Sequence, residues 1–154
     1  MRVRRFHAAF TLVELAAVVV IIALLAAMAM PHFAGALARS RADAAAGRVR
    51  LDLLHAQERA RAMSTSVWVV FDVARGLYQL QGVPDLDRPG STYEVRLVNQ
   101  PYLATLVSAD FGGDATVIFN GYGDPDSGGT MVLRVGDETR TVTLDAQTGR
   151  AGVQ

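Results

Sequence analysis

The chain has 154 residues and balances 15 Arg against 15 Asp and Glu, with no Lys and no Cys. That composition excludes thiol nucleophiles, disulfides, cysteine zinc sites, Schiff-base lysines and the phosphate-loop lysine together. The histidines, His7, His32 and His55, all lie within the first 55 residues, so a Ser-His-Asp triad or histidine-rich metal site inside the C-terminal part is excluded too.

Overall neutrality hides a polarised molecule. Residues 1–9 carry Arg2, Arg4 and Arg5 and no acid. Residues 10–30 carry one charge, Glu14, and residues 15–30 are apolar without a break. Residues 31–63 hold six Arg against Asp43, Asp52 and Glu58, whereas residues 64–154 hold six Arg against eleven acids, a net −5. Twelve of the 14 glycines follow Met63, so the first part reads as helix and the second as sheet.

A spanning helix needs about 20 apolar residues, a length that residues 10–30 meet. The leader arginines keep the N-terminus cytoplasmic and place the C-terminal part across the membrane. A secretory signal peptide is the competing reading, because Ala36-Leu37-Ala38 fits a small-x-small cleavage site. Against it, the apolar stretch exceeds the usual h-region of about 7–15 residues and opens on an acid. Residues 31–63 continue as an amphipathic helix. Ala38, Ala42, Ala45, Val49, Leu53, Ala56, Ala60 and Met63 form one stripe for a sheet to cover, with Arg41, Arg48, Asp52 and Arg59 off it. Pro31, helped by Gly35, is expected to bend the helix.

The remainder reads as short antiparallel strands over residues 67–73, 77–81, 92–98, 103–107, 115–119, 130–135, 140–144 and 150–153. The first is apolar nearly throughout, which predicts a central strand with Trp68 in the core. Gly136-Asp137-Glu138 predicts a hairpin, and residues 146–149 a further turn.

Glu14 requires a partner, since a charge at mid-helix in lipid costs about 2.5–3.5 kcal/mol, less near an end. Removal of a leader between Ala9 and Phe10 would create an amino group four residues away, within reach of Glu14 on an adjacent copy. At about 4 Å and an effective dielectric near 20, that pair contributes about 4 kcal/mol before desolvation. A carboxylate snorkelling to the headgroups is the other possibility.

Phe10-Thr11-Leu12-Val13-Glu14-Leu15, behind a short basic leader and ahead of an apolar helix, resembles the type IV prepilin N-terminus. The resemblance implies cleavage after Ala9 by an inner-membrane prepilin peptidase, N-methylation of Phe10 and a role for Glu14 in assembly. Pro31 falls where that family often bends its helix, and Ala9 stands where it usually has Gly. Residues 56–73, residues 116–123 and 128–133, and Thr148-Gly149-Arg150 further resemble the GspH/FimT family. This implies an α+β, pilin-like fold, with a long N-terminal helix whose rear half packs on antiparallel sheets.

Three other sites come into question. Asp124 and Asp126 could hold calcium, although Pro125 and the following glycines fit an acidic hairpin tip equally well. Asp110 and Asp114 could act as an acid and base pair, but flanking Gly112-Gly113 they describe a solvated turn. Some FimT-like relatives bind DNA through arginines after the last strand. Here Arg150 keeps the first such residue and Gly152 stands at the second, so weak contact at Arg150, Arg140 and Arg134 is the most that is expected.

The expected organisation is therefore a leader (1–9), a transmembrane assembly helix (10–30), its amphipathic continuation (31–63) and a periplasmic β-rich domain (64–154). The expected function is that of a non-enzymatic minor pseudopilin of a type II secretion system, without metal or cofactor. Its expected partners are the prepilin peptidase, other pseudopilins or pilins and inner-membrane lipid, with DNA unlikely. A FimT-like minor pilin for pilus priming or DNA uptake is the alternative, and a membrane-anchored periplasmic enzyme or binding domain a distant third.

Overall fold

Among the described residues, the glycine-punctuated, alternating sequence after Met63 forms eight antiparallel strands, and residues 12–63 form one helix. The computed structural model describes residues 11–85 and 88–154, excepting the side chains of residues 28–32. Helix α1 covers Leu12–Met63. The chain divides into two compact units, Met1–Leu37 and Ala38–Gln154.

In the first unit, Thr11 starts the helix. Its Oγ1 accepts the Glu14 backbone N–H at 3.2 Å and its carbonyl accepts Leu15 N–H at 3.1 Å. The spacing Thr-x-x-Glu is that of a capping box. Residues 12–27 are exposed throughout, although all but Glu14 are apolar. The backbone stays helical through Pro31, whose side chain lies outside the described residues.

In the second unit, β1 (Val67–Asp72), β2 (Leu77–Pro84), β3 (Thr92–Arg96) and β5 (Thr116–Phe119) make one sheet in the order β3-β2-β1-β5. The other sheet comprises β4 (Thr105–Phe111), β6 (Gly129–Val135), β7 (Glu138–Leu144) and β8 (Ala151–Val153), in the order β4-β6-β7-β8. The predicted hairpin turn is present between β6 and β7, where Gly136 takes φ +59°, a left-handed value glycine adopts without strain. Leu80, Val69, Phe119, Leu106, Met131, Leu133 and Val142 meet in one core with α1 residues Ala42, Ala45, Ala46, Val49, Leu53, Ala56 and Ala60. Phe71 of β1 stacks on Phe111 of β4 at 5.2 Å between centroids, joining the two sheets at the core.

Four sequence expectations need correction. Strand β1 is central, but only Val67, Val69 and Phe71 face inward, and Trp68 is 46% exposed on the outer face. Strand alternation decides this, because Trp68 has the opposite parity to the three buried residues. Met63 is exposed at the helix end rather than continuing the stripe. Asp52, placed off the stripe, is only 5% exposed. The expected strand 103–107 starts two residues later and continues to Phe111, after Leu103 takes a positive φ of 50° that no extended strand accommodates.

Candidate functional site

The N-terminal segment of α1 presents a helix of apolar residues with one carboxylate. Glu14 sits at the third helical position, where the positive end of the helix dipole favours an anion. Its carboxylate makes no hydrogen bond or ion pair among the described residues. Ala9 and Phe10, the expected cleavage and methylation positions, lie outside the described residues. Among the described residues no helix is long and apolar enough to cross a membrane.

The globular unit holds a polar network that the sequence reading missed. Asp52 on α1 accepts the Tyr78 hydroxyl at 2.5 Å on Oδ2 and the Tyr93 hydroxyl at 3.1 and 3.2 Å on its two oxygens. Arg48 Nε donates to the same carboxylate at 3.0 Å, one helical turn away, and its Nη2 donates to the Tyr93 hydroxyl. Burial, followed by the nearby Asp52 charge, pushes the Tyr78 hydroxyl well above its ordinary pKa. Tyr93 moves the same way for the same two leading reasons. Burial works against the Arg48 charge, but the Asp52 carboxylate and the Tyr93 hydroxyl outweigh it, so its pKa is raised. The i,i+4 spacing of Arg48 and Asp52 was the available local signal. The tyrosines lie 26 and 41 residues from Asp52 and gave none.

Further along α1, buried Gln57 donates from Nε2 to the carbonyls of Gly123 at 2.8 Å and Thr148 at 3.2 Å. It ties the loop after β5 and the turn before β8 to the helix. Gly149 follows with φ +65°, and a Cβ there would stand 2.2 Å from Gln57 Nε2, so the position requires glycine. Arg61 Nε donates to the Tyr122 carbonyl at 2.9 Å, holding the same loop from its other side.

The remaining expected sites are dispersed. Arg140 binds Asp43 at 2.6 Å and Glu138 at 3.5 Å, and Arg39 also reaches Glu138 at 2.8 Å. The Arg140 side chain is thus engaged in a clasp between α1 and β7, whereas Arg150 is exposed beside the turn before β8. Asp145 in that turn accepts the backbone N–H groups of Gln147 and Thr148 and the Thr148 hydroxyl. These bonds, those from Thr148 foremost, hold its carboxyl below the usual range. Asp110 and Asp114 each accept a turn N–H, from Gly113 and Thr116. Asp126 Oδ1 accepts Ile118 N–H at 2.9 Å while its own N–H goes to the Ile118 carbonyl, covering the edge of β5. Among the described residues no group of three or more His, Asp or Glu could hold a metal ion.

Comparison with known proteins agrees with this geometry. Residues 4–30 match the prokaryotic N-terminal methylation motif. Among curated proteins, none matches the chain. The crystal structure of the type IV minor pilin FimU from Pseudomonas aeruginosa (strain PAO1) is similar with a TM-score of 0.52 at 13% identity, over 75% of this chain and 90% of that one. At that identity the likeness is one of fold. Motif and fold together describe a type IV pilin-like protein, α+β, with a long N-terminal helix on antiparallel sheets.

Proposed function

We propose that this chain is a minor subunit of a type II secretion pseudopilus, a structural component rather than an enzyme. The observation that supports the filament-subunit part of this reading is the methylation motif over residues 4–30, which overlaps the exposed apolar start of α1 with Glu14 in its first turn. In this reading the leader 1–9 is removed after Ala9 by prepilin peptidase and Phe10 is N-methylated. Residues 10–30 hold the subunit in the inner membrane before assembly, with the N-terminus cytoplasmic and residues 64–154 periplasmic. The neighbouring subunit's terminal amine pairs with Glu14, and Pro31 bends the helix. Arg150, with Arg140 tied to Asp43 and Glu138, makes at most weak contact with DNA.

Two measurements test this. Mass spectrometry of the purified protein should find a chain beginning at methylated Phe10; one beginning at Met1 or after Ala38 would refute the processing. Deleting the gene should trap secreted enzymes in the periplasm, reversibly by the wild-type gene and not by Glu14→Ala. A second reading, a FimT-like minor pilin of a type IV pilus, has the likeness to FimU in its favour. Unchanged secretion with impaired piliation or transformation would select it.

A further inference from the structure

We propose that the groove beside β3 docks a carboxylate-bearing loop of a neighbouring filament subunit, an inference that rests on the filament reading above. The groove is open, about 580 Å³, and Arg48, Arg88, Arg96, Asn99, Gln100 and Tyr102 line it. An adjoining depression that shares Arg96 and Asn99 brings Arg75 to the rim. Three of the six arginines after residue 64 therefore converge on one side of a region with net charge −5.

These arginines are oriented without being saturated. Arg88 reaches Asp85, and Arg96 reaches Glu94, through Nε at 3.0 and 2.7 Å. Both side chains are more than half exposed, and their Nη edges make no hydrogen bond among the described residues. One carboxylate thus fixes each guanidinium while the outer edge keeps the fork that suits a second carboxylate. Asn99 and Gln100 add exposed amide donors at the same rim.

A protein loop fits this groove better than a phosphate backbone. Glu94 lies inside it, held by Gln79 Nε2 at 2.8 Å and Arg96, and a continuous row of phosphates would meet that charge. The ring in the groove, Tyr102, is half-buried, whereas unstacked bases need an open aromatic face. Separate carboxylates on a short loop can reach Arg88 and Arg96 one at a time. This chain carries such a surface itself in exposed Asp124 and Asp126 between β5 and β6.

The test uses the full-length protein in detergent, titrated with a fluorescent Asp-rich peptide and, separately, with a single-stranded oligonucleotide of equal charge. The peptide should bind in a salt-sensitive manner. Arg88→Gln combined with Arg96→Gln should weaken it about tenfold or more, with the thermal midpoint unchanged, while the double Lys variant retains partial binding. No peptide binding, equal binding by the Gln variant, or tighter binding of the oligonucleotide overturns the proposal. The titration does not depend on assembly, so the two readings fail separately. A protein recovered in filaments that ignores the peptide refutes the groove. One that binds the peptide through Arg88 and Arg96 yet never enters filaments refutes the filament reading and the partner named here.

Discussion

Replacing Asp52 by Ala should destabilise the globular unit by about 2–3 kcal/mol, a value assembled from its three partners. Tyr78 loses its acceptor in a site it fills at 1% exposure, and an orphaned buried donor costs about 1–3 kcal/mol. Tyr93 is half-buried and Arg48 is 40% exposed. Water replaces much of what they lose, leaving about 0.5–1 kcal/mol from the ion pair. Relief of the carboxylate's own desolvation offsets part of the sum. Against a total stability of about 5–15 kcal/mol, the loss should lower the thermal midpoint by about 10 °C, read by near-ultraviolet circular dichroism. Tyr78→Phe should cost about 1 kcal/mol. The double variant should cost less than the two singles added, because both remove the same bond. An Asp52→Ala protein within about 0.5 kcal/mol of wild type, or strict additivity, would refute the role given to this network.

Three further outcomes follow from the same geometry. The folded state holds the Tyr78 proton more tightly than the unfolded chain does, so stability is intact below about pH 10 and falls as pH rises beyond it. Melting curves from pH 8 to 11 should show this alkaline loss in wild type and less of it in Tyr78→Phe. Gly129→Ala should disrupt the β4–β6 pairing at a cost above about 3 kcal/mol, since its Cβ would lie 2.1 Å from the Asp110 carbonyl oxygen; faster amide exchange in β4 and β6 is the readout. Gln57→Ala should release the loops at Gly123 and Thr148 at about 1–3 kcal/mol, seen as selective proteolysis there with the sheets still protected.

The eight strands were legible because alternation and glycine punctuation are local signals. Pairing order was not. Strand β5 leaves β4 and joins β1 in the other sheet, and the Phe71–Phe111 stack that ties the two sheets joins residues far apart in sequence. The helix stripe was legible as spacing, yet its meaning was incomplete. Five of the seven buried apolar residues of α1 are alanines, Ala42, Ala45, Ala46, Ala56 and Ala60, and Ala46 lies beside the predicted stripe. Alanines let α1 approach the sheets closely but remove little apolar area each, so they scarcely distinguish one helix rotation from the next. The buried polar partners make that distinction, because Asp52 meets Tyr78, and Gln57 meets Gly123 and Thr148, at a single rotation and register. A charge within a stripe of small residues is therefore evidence of a buried partner elsewhere in the chain, even when the spacing places it at the margin.

The proposed function gives Glu14 two physical roles that one substitution can separate. It is the third residue of a capping box, where Thr11 already accepts its backbone N–H. It also carries the single charge between residues 10 and 30. The cap contributes about 1 kcal/mol and the helix dipole about 0.3–1 kcal/mol, both within one subunit. In the proposed filament, pairing with a neighbour's terminal amine would contribute about 4 kcal/mol before desolvation, and only upon assembly. Glu14→Gln keeps a side chain that can close the capping box and removes the charge; Glu14→Ala removes both. If pairing governs assembly, the two variants should fail equally to enter filaments, with the helix starting normally in the Gln variant. Incorporation of Glu14→Gln at wild-type level, with loss confined to Glu14→Ala, would show that Glu14 serves the helix start instead. Thr11→Ala should then fail as well, since it removes the other half of the same cap.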